Sequence, residues 1–132
     1  MGTTTDRLER RIADDLGACC AGDVDRRLDE LSTLRDRATS PDPSRDTTAL
    51  SVLGDGTRYT LARTLREAGG ELCVCELAPL VDVGESAVSH ALSDLTDAGL
   101  LTRRKEGRWR HYATTDRADA LLDALDATRE AR

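Results

Sequence analysis

Apolar residues recur at helical spacing in the first part of the chain. Leu8, Ile12 and Leu16 lie four residues apart, which predicts a helix over residues 6–16 with one apolar stripe. A second helix is predicted from about residue 22, because its apolar side chains again share one face while charged residues occupy the others. The chain is therefore expected to begin with a pair of amphipathic helices.

The stretch over residues 38–46 interrupts this pattern. It contains two of the three prolines of the chain, which is typical of a linker. We therefore expect an N-terminal helical arm with its linker over residues 1–46, and a main domain over residues 47–132.

The main domain contains the clearest helix of the sequence, over about residues 85–98. Its apolar residues follow the i, i+3, i+4, i+7 spacing, and Gly99 ends the pattern. The stripe consists of Val88, Ala91, Leu92 and Leu95. A two-stranded ribbon over residues 100–105 and 108–114 follows, with Glu106 and Gly107 between the strands.

Four further helices are expected in the main domain. The first two are a short helix over 47–53 and a helix capped by Asp55, with Leu61, Ala62 and Leu65 inward. The others are a helix over 71–81 and a final helix capped by Asp116, whose apolar face is Ala118, Leu121, Leu122 and Leu125.

A helix pair followed by a ribbon is the order of a winged helix-turn-helix, so the predicted fold is mainly α with a small β-ribbon.

Composition narrows the class of protein. A chain of 132 residues is the size of one ordinary domain, which disfavours an enzyme with separate cofactor and substrate lobes. No run of 18 apolar residues and no apolar leader is present, so we expect a cytoplasmic protein without membrane contact. Phe is absent, so the core must rely on Leu, Val and Ala, and a partner subunit would help to complete it.

Charge is distributed unevenly. The formal net charge is -6, yet residues 103–110 carry +4 and the remainder carries -10. A basic spot on an acidic body indicates a small, aimed phosphate contact rather than general coating of nucleic acid.

Two predicted surfaces suit double-stranded DNA. With its apolar stripe inward, the 85–98 helix presents short polar side chains that fit the major groove, where Ser and His can bond base edges or phosphates. The ribbon supplies positive charge suited to the DNA backbone or the minor groove. The candidate DNA-binding residues are Ser86, Ala87, Ser89, His90, Ser93, Arg103, Arg104, Lys105, Arg108 and Arg110. Trp109 and Tyr112 are expected to pack within the ribbon.

Three segments resemble the ArsR/SmtB family of metalloregulatory repressors. The family's recognition helix and wing are similar to residues 84–115 (GESAVSHALSDLTDAGLLTRRKEGRWRHYATT), and the helix before them is similar to residues 53–65 (LGDGTRYTLARTL). Its metal-box signature is similar to residues 71–77 (ELCVCEL). The resemblance covers about residues 47–114, and it implies that the cysteines of the metal box bind the inducer.

The four cysteines occur as two close pairs, Cys19 with Cys20 and Cys73 with Cys75. Because the chain has only two histidines, a thiolate site is favoured, and thiolate selects soft ions. In a regular helix Cys73 and Cys75 would point about 200° apart, so they can converge only if one lies before the helix. Three thiolates suit trivalent arsenic or antimony, whereas four suit cadmium, lead or zinc.

The resemblance also shows two departures from the family. Some members hold arsenic with three cysteines in the metal-box helix, but Ala78 stands where the third would fall. The missing sulfur is therefore expected from Cys19 or Cys20 of the arm. The family's other metal site, on the C-terminal helix, usually needs His. Here Asp119, Asp123, Asp126 and Glu130 stand without one and are expected to form a solvated face.

These observations predict a homodimeric repressor that binds an inverted-repeat operator when metal-free. As(III) or Sb(III) is the expected inducer, with Cd, Pb or Zn as the other ions, at Cys73, Cys75, Cys19 and Cys20. Binding is expected to alter the dimer so that its two recognition helices no longer match half-sites about 34–36 Å apart. The final helix and the arm are expected to form the dimer seam.

Other interpretations of the thiols stay open. In one, the cysteines are small buried hydrophobic residues without a metal. In the other, they form a redox switch, in which Cys19 pairs more easily with the Cys73–Cys75 segment than with Cys20. A thiol enzyme such as an oxidoreductase or arsenate reductase is disfavoured, because the chain has no C-x-x-C motif and no glycine-rich phosphate loop. A metal carrier would explain the cysteines but not the basic ribbon.

Overall fold

The computed structural model describes residues 4–17 and 21–130. Its contacts divide the chain between Pro41 and Asp42 into two compact units. The first unit contains α1, Asp6–Leu16, and α2, Ala21–Ala38. Both predicted arm helices are therefore confirmed, and α1 ends at Gly17, whose φ of +79° favours glycine.

The second unit combines helices with a small antiparallel sheet. In chain order it contains α3 (Pro43–Leu53), α4 (Gly56–Ala68), β1 (Leu72–Cys73), α5 (Val74–Leu77), a 3₁₀ turn (Ala78–Leu80), α6 (Glu85–Asp97), β2 (Leu101–Glu106), β3 (Trp109–Thr114) and α7 (Asp116–Glu130). The predicted winged helix-turn-helix architecture is confirmed, with α5 and α6 as the helix pair and β2 and β3 as the wing.

α3 begins four residues earlier than predicted. Asp42 accepts a hydrogen bond from the backbone nitrogen of Arg45 at 3.1 Å, and Pro43 stands in the first turn, where its missing N–H costs little. The linker expected over residues 38–46 is thus too long, because residues 43–46 are helical.

The cap of α7 also differs from the prediction. The backbone nitrogen of Ala118 donates to the hydroxyl of Thr115 at 3.2 Å, and Asp116 is already helical. Asp55 caps α4 as predicted, since it accepts from the backbone nitrogen of Arg58 at 3.0 Å.

The expectation of one helix over residues 71–81 is wrong, because this segment contains a short strand, one α-helical turn and a 3₁₀ turn. Its first residues form β1, which pairs with β3, and only one α-helical turn follows before the 3₁₀ turn that contains Pro79. The sheet order is β1-β3-β2, and both Cys73 and Arg104 lie opposite His111 in the register. These three residues therefore form one row across the sheet.

The core of the second unit lies between α4, α6 and the sheet. The predicted inward residues are confirmed as buried, namely Leu61, Ala62 and Leu65 on α4 and Val88, Ala91, Leu92 and Leu95 on α6. Tyr112 is buried as predicted, but Trp109 is 49% exposed because it lies at the wing tip, beyond the core. The expectation that Trp109 packs is wrong. Within residues 4–17 and 21–130, no helix is both long and apolar enough to cross a bilayer.

Candidate functional site

The outward side of α6 carries the polar residues that the sequence proposed for base contacts. Ser86, Ala87 and His90 are exposed, while Ser89 and Ser93 are half-buried. The side chain of His90 is 81% exposed, and its Nε2 lies 3.7 Å from Asp94. This exposed row follows directly from the burial of the opposite, apolar stripe.

Asp94 also connects α6 to α4. Nη1 of Arg58 lies 3.7 Å from the Asp94 carboxylate, and Nε of Arg58 donates to the carbonyl of Val52 at 2.7 Å. Both charged side chains are partly shielded from solvent. The exposed row of α6 is therefore held on a scaffold that includes α4 and the end of α3.

The wing presents a set of cations to solvent. Its tip is a tight turn at Gly107, whose φ is +60°. The cations that form no ion pair with any residue in the described part of the chain are Arg103, Lys105, Arg108 and Arg110. The guanidinium of Arg108 lies 5.2 Å from the centroid of the Trp109 ring. Unpaired cations on a narrow ribbon are suited to phosphate oxygens.

Arg104 differs from the other wing cations. Its Nε donates to both carboxylate oxygens of Glu71, at 3.1 and 3.0 Å, and its Nη1 donates to Glu106 at 3.1 Å. The hydrogen bond from Arg104 holds the pKa of Glu71 below its ordinary value, and the bond to Glu71 raises the pKa of Arg104. This pair could not be predicted from local sequence patterns, because it depends on the pairing of β1 with β3.

The two cysteines of the middle segment converge. Cys73 ends β1 and is buried, Cys75 lies in α5 and is exposed, and their Cα atoms are 5.4 Å apart. A disulfide joins them. Glu76 accepts a hydrogen bond from the backbone nitrogen of Cys73 at 3.0 Å, which closes the first turn of α5. The prediction that one cysteine must precede the helix is confirmed.

The donor set fits a soft ion only in part. The disulfide shows that both sulfurs reach one point, and reduction would give two adjacent soft ligands. In the parts of the chain that the structure describes, no group of three or more His, Cys, Asp or Glu side chains could hold a metal ion. Cys19 and Cys20, the sequence candidates for further sulfur ligands, lie outside the described residues. The disulfide joins Cys73 to Cys75, a pairing that the redox interpretation of the sequence does not include.

Comparison with known proteins identifies the family. The pattern described as "Bacterial regulatory protein, arsR family" matches residues 55–103. A Halobacterium salinarum protein named "Putative arsenical resistance operon repressor ArsR" is 52% identical over 127 residues, which cover 96% of this chain and 98% of that protein. The chain belongs to the ArsR family.

Solved structures of ArsR-type regulators share the fold. The crystal structure of a "Possible transcriptional regulator for arsenical resistance" is 39% identical, has a TM-score of 0.52, and covers 61% of this chain and 81% of its own. A homodimeric winged helix-turn-helix DNA-binding domain from Mycobacterium bovis, Mb0332, has a TM-score of 0.59 at 21% identity, covering 70% of this chain and 90% of that one. The second likeness concerns the fold alone.

In this ArsR-family chain the cysteines and the wing line the same cleft. The cleft has a volume of about 340 Å³ and lies between the start of α5, the first turns of α6 and the wing tip. Cys73 and Cys75 form one side, and Lys105, Arg108 and Arg110 are among the residues of the other. Sequence reasoning treated the thiols and the basic ribbon as separate sites, because nothing local indicates that they meet.

The acidic residues on α7 of this ArsR-family chain form the expected solvated face only in part. Asp126 lies 3.0 Å from Nη1 of Arg63 and 3.3 Å from Nη1 of Arg66, and Asp123 is also paired with Arg66. The bond from Arg63 lowers the pKa of Asp126, and the same bond raises the pKa of Arg63. The expectation is therefore wrong for Asp126, which is half-buried and attaches α7 to α4, whereas Asp123 is exposed as predicted.

Proposed function

We propose that this chain is a homodimeric transcriptional repressor that leaves its operator when trivalent arsenic or antimony binds Cys73 and Cys75. The observation that carries the proposal is the convergence of these two sulfur atoms at the start of α5, the helix that precedes the recognition helix α6. The name of the Halobacterium salinarum relative supports arsenical resistance as the regulated response.

Operator DNA is proposed to contact α6 and the wing. The exposed Ser86, Ala87 and His90, with the half-buried Ser89 and Ser93, would read base edges in the major groove, and their exposure on one side of α6 supports this role. The unpaired wing cations would contact phosphates, which supply affinity without sequence information. Arg104 would contribute less, because two carboxylates already occupy its guanidinium.

Binding of arsenite requires the reduced cysteines. A dithiol reductant first converts the disulfide to two thiols and is itself oxidised to a disulfide. Each arsenic–sulfur bond then forms as one thiol loses its proton and arsenite loses one hydroxide, which leave together as water. Cys73 and Cys75 fill two of the three positions on arsenic. The third sulfur is proposed to come from Cys19 or Cys20 of the same subunit or of a second copy.

The dimer is proposed to form through α7 and the N-terminal arm. Leu125 on α7 is 44% exposed although it extends the apolar face of Ala118 and Leu122. The arm exposes Leu31 and Leu34 at helical spacing on α2, 37% and 55% respectively. A second copy would cover these apolar residues. Sedimentation should therefore show a dimer that Leu125→Asp shifts toward monomer.

The deciding experiment measures operator release by arsenite. A duplex selected by the reduced protein from a random pool would be labelled, and its Kd would be measured by fluorescence anisotropy with and without sodium arsenite. Allosteric coupling of about 1–3 kcal/mol predicts that arsenite raises the Kd roughly 5- to 150-fold. Cys73→Ser and Cys75→Ser should each reduce that ratio to about one.

Variants of the arm cysteines test the source of the third sulfur ligand. Cys19→Ser and Cys20→Ser would be compared singly and together, since the adjacent thiols can substitute for each other. Loss of release only in the double variant supports an arm sulfur as the third ligand. An undiminished ratio of Kd values in Cys73→Ser and Cys75→Ser would mean that these thiols do not bind the inducer. Cadmium, lead and zinc salts in place of arsenite would test the alternative ions.

A redox-responsive repressor is the second candidate, and the disulfide between Cys73 and Cys75 favours it. Two thiols and one molecule of hydrogen peroxide would give the disulfide and two molecules of water. Peroxide should then raise the operator Kd in the absence of any metal, and a dithiol should restore it. Operator binding that is equal for the oxidised and reduced protein would eliminate this candidate.

A further inference from the structure

The cleft beside the cysteines has the chemistry of an anion site. Three cations of the wing line it, Lys105, Arg108 and Arg110, and one carboxylate, that of Glu85. None of the three cations forms an ion pair with another residue that the structure describes. Positive charge therefore exceeds negative charge in the cleft, and it is free to meet an anion from outside.

The position of the cleft determines which anion it meets. Its lining includes Ser89 from the second turn of α6 and Trp109 at the wing tip. A DNA duplex that met both the exposed row of α6 and the wing would pass its backbone across the space between them. The anion of suitable charge and position is thus a backbone phosphodiester, which cationic side chains bind through charge-assisted hydrogen bonds.

The two cysteines line the same cleft. Cys75 is exposed, and both Cys73 and Cys75 line the space that Lys105 and Arg110 also line. A group bound to the two sulfurs would occupy this volume of about 340 Å³ beside the cations. It would do so within one subunit, whatever the spacing of the two subunits.

We propose that this cleft is a phosphate subsite for operator DNA, and that an arsenical on Cys73 and Cys75 displaces the DNA phosphate from it directly. This inference rests on the proposed function, and it attributes the release to competition at the DNA-binding surface of each subunit. A change in the separation of the two recognition helices is then not required.

The first test compares DNA with one and two half-sites. Kd values of the reduced protein would be measured with and without arsenite for the selected inverted repeat, for a duplex with one half-site, and for an unrelated duplex. Direct displacement predicts that arsenite raises all three Kd values, each by at least fivefold. If arsenite raises the Kd of the inverted repeat alone, release requires the dimer geometry and the inference is overturned, while the proposed function stands. If arsenite releases none of the duplexes, the proposed function itself fails.

The second test places charge in the cleft without metal. Cys75→Glu and Cys75→Gln differ by one negative charge at the same exposed position. On the one-half-site duplex, the Glu variant should bind at least tenfold more weakly than the Gln variant at low salt. The difference should shrink as KCl is added, because salt screens the repulsion between carboxylate and phosphate.

A matched control separates local charge from net charge. Ala127→Glu adds one carboxylate to α7 at an exposed residue, two positions after Leu125 and so on the opposite side of that helix. Its Kd should stay within twofold of the parent protein. A Cys75→Glu loss no larger than that of Ala127→Glu would refute a phosphate beside Cys75, provided that circular dichroism shows both variants folded.

Discussion

Arg104 on the wing donates from Nε to both carboxylate oxygens of Glu71, which lies two residues before Cys73. The main chain adds a second connection, because Cys73 pairs with His111 on β3. The thiol segment and the wing are thus joined by strand pairing and by a charged side-chain pair. We expect that a displacement of Cys73 also displaces the wing through these two connections.

Replacing Glu71 tests what this pair does to DNA binding. Glu71→Gln keeps the size of the side chain but removes the carboxylate that occupies Arg104. The guanidinium, which then has only Glu106 as a carboxylate partner, should gain a phosphate contact, so the variant should bind unrelated DNA more tightly at low salt. Its plot of log K against log salt should steepen by about 0.9. Anisotropy titrations at four KCl concentrations would measure both effects.

The control for this variant is Glu67→Gln on α4. Glu67 is exposed and forms no ion pair with the residues described here, so its replacement changes net charge by the same amount. If both variants strengthen DNA binding equally, the effect is one of net charge and Arg104 is not freed.

The attachment of α7 to α4 should depend on pH through Asp126. Because the bond from Arg63 lowers the pKa of folded Asp126 below the ordinary 3.8, its carboxylate stabilises the fold above that value. This stabilisation is lost as the pH falls through the lowered pKa. Asp126→Asn lacks it at every pH. The variant should therefore be less stable than the parent at pH 7, and the difference should vanish well below pH 3.8.

Urea unfolding of both proteins at pH values from 7 down to 2.5 would measure this difference. Asp25→Asn on α2 is the control, since Asp25 is exposed and has no ion pair in the described part of the chain. A constant difference between parent and Asp126→Asn across the whole range would show that the charge of Asp126 is not what stabilises α7.

Elements with a strong local signal could be predicted from the sequence. The apolar stripe of α6 and the Asp55 cap of α4 depend only on residues within a few positions of each other, and both predictions are confirmed. The start of α3 was missed although its signal is also local. An Asp followed by Pro favours a helix start, but the two prolines of this segment also favour a linker, and the helix start is what forms.

Features that depend on distant residues could not be predicted in this way. β1 forms only because its two residues meet β3, and the Glu71–Arg104 pair follows from that meeting. The half-buried position of Asp126 could not be predicted for the same reason, since the arginines that pair with it lie on α4. For the two thiols, the sequence predicts only a condition, namely that they can converge if one cysteine precedes the helix. Local geometry does not determine whether this condition is met.

Base recognition by α6 should be sensitive to His90. The side chain is 81% exposed, with only a 3.7 Å approach to Asp94, so its ring is available to DNA. His90→Ala should alter the preferred base at one position in each half-site, since a good base contact contributes about 1–3 kcal/mol of discrimination. Sequencing of duplexes selected by parent and variant would reveal the change. Ser51→Ala, at an exposed position of α3, should leave the selected sequence unaltered. A uniform loss of affinity in His90→Ala would contradict base reading.

The wing cations should differ in their effect on salt dependence. Each phosphate contact contributes about 0.9 to the slope of log K against log salt, so Lys105→Ala and Arg108→Ala should each lower the slope by about that amount. Arg104→Ala should lower it less, because Glu71 and Glu106 already hold that guanidinium. Arg37→Ala on α2, an exposed arginine without an ion pair to any described residue, should leave the slope unchanged. Equal losses for Arg104 and Arg108 would mean that DNA displaces both carboxylates from Arg104, and then the Glu71 pair would open whenever the protein binds its operator.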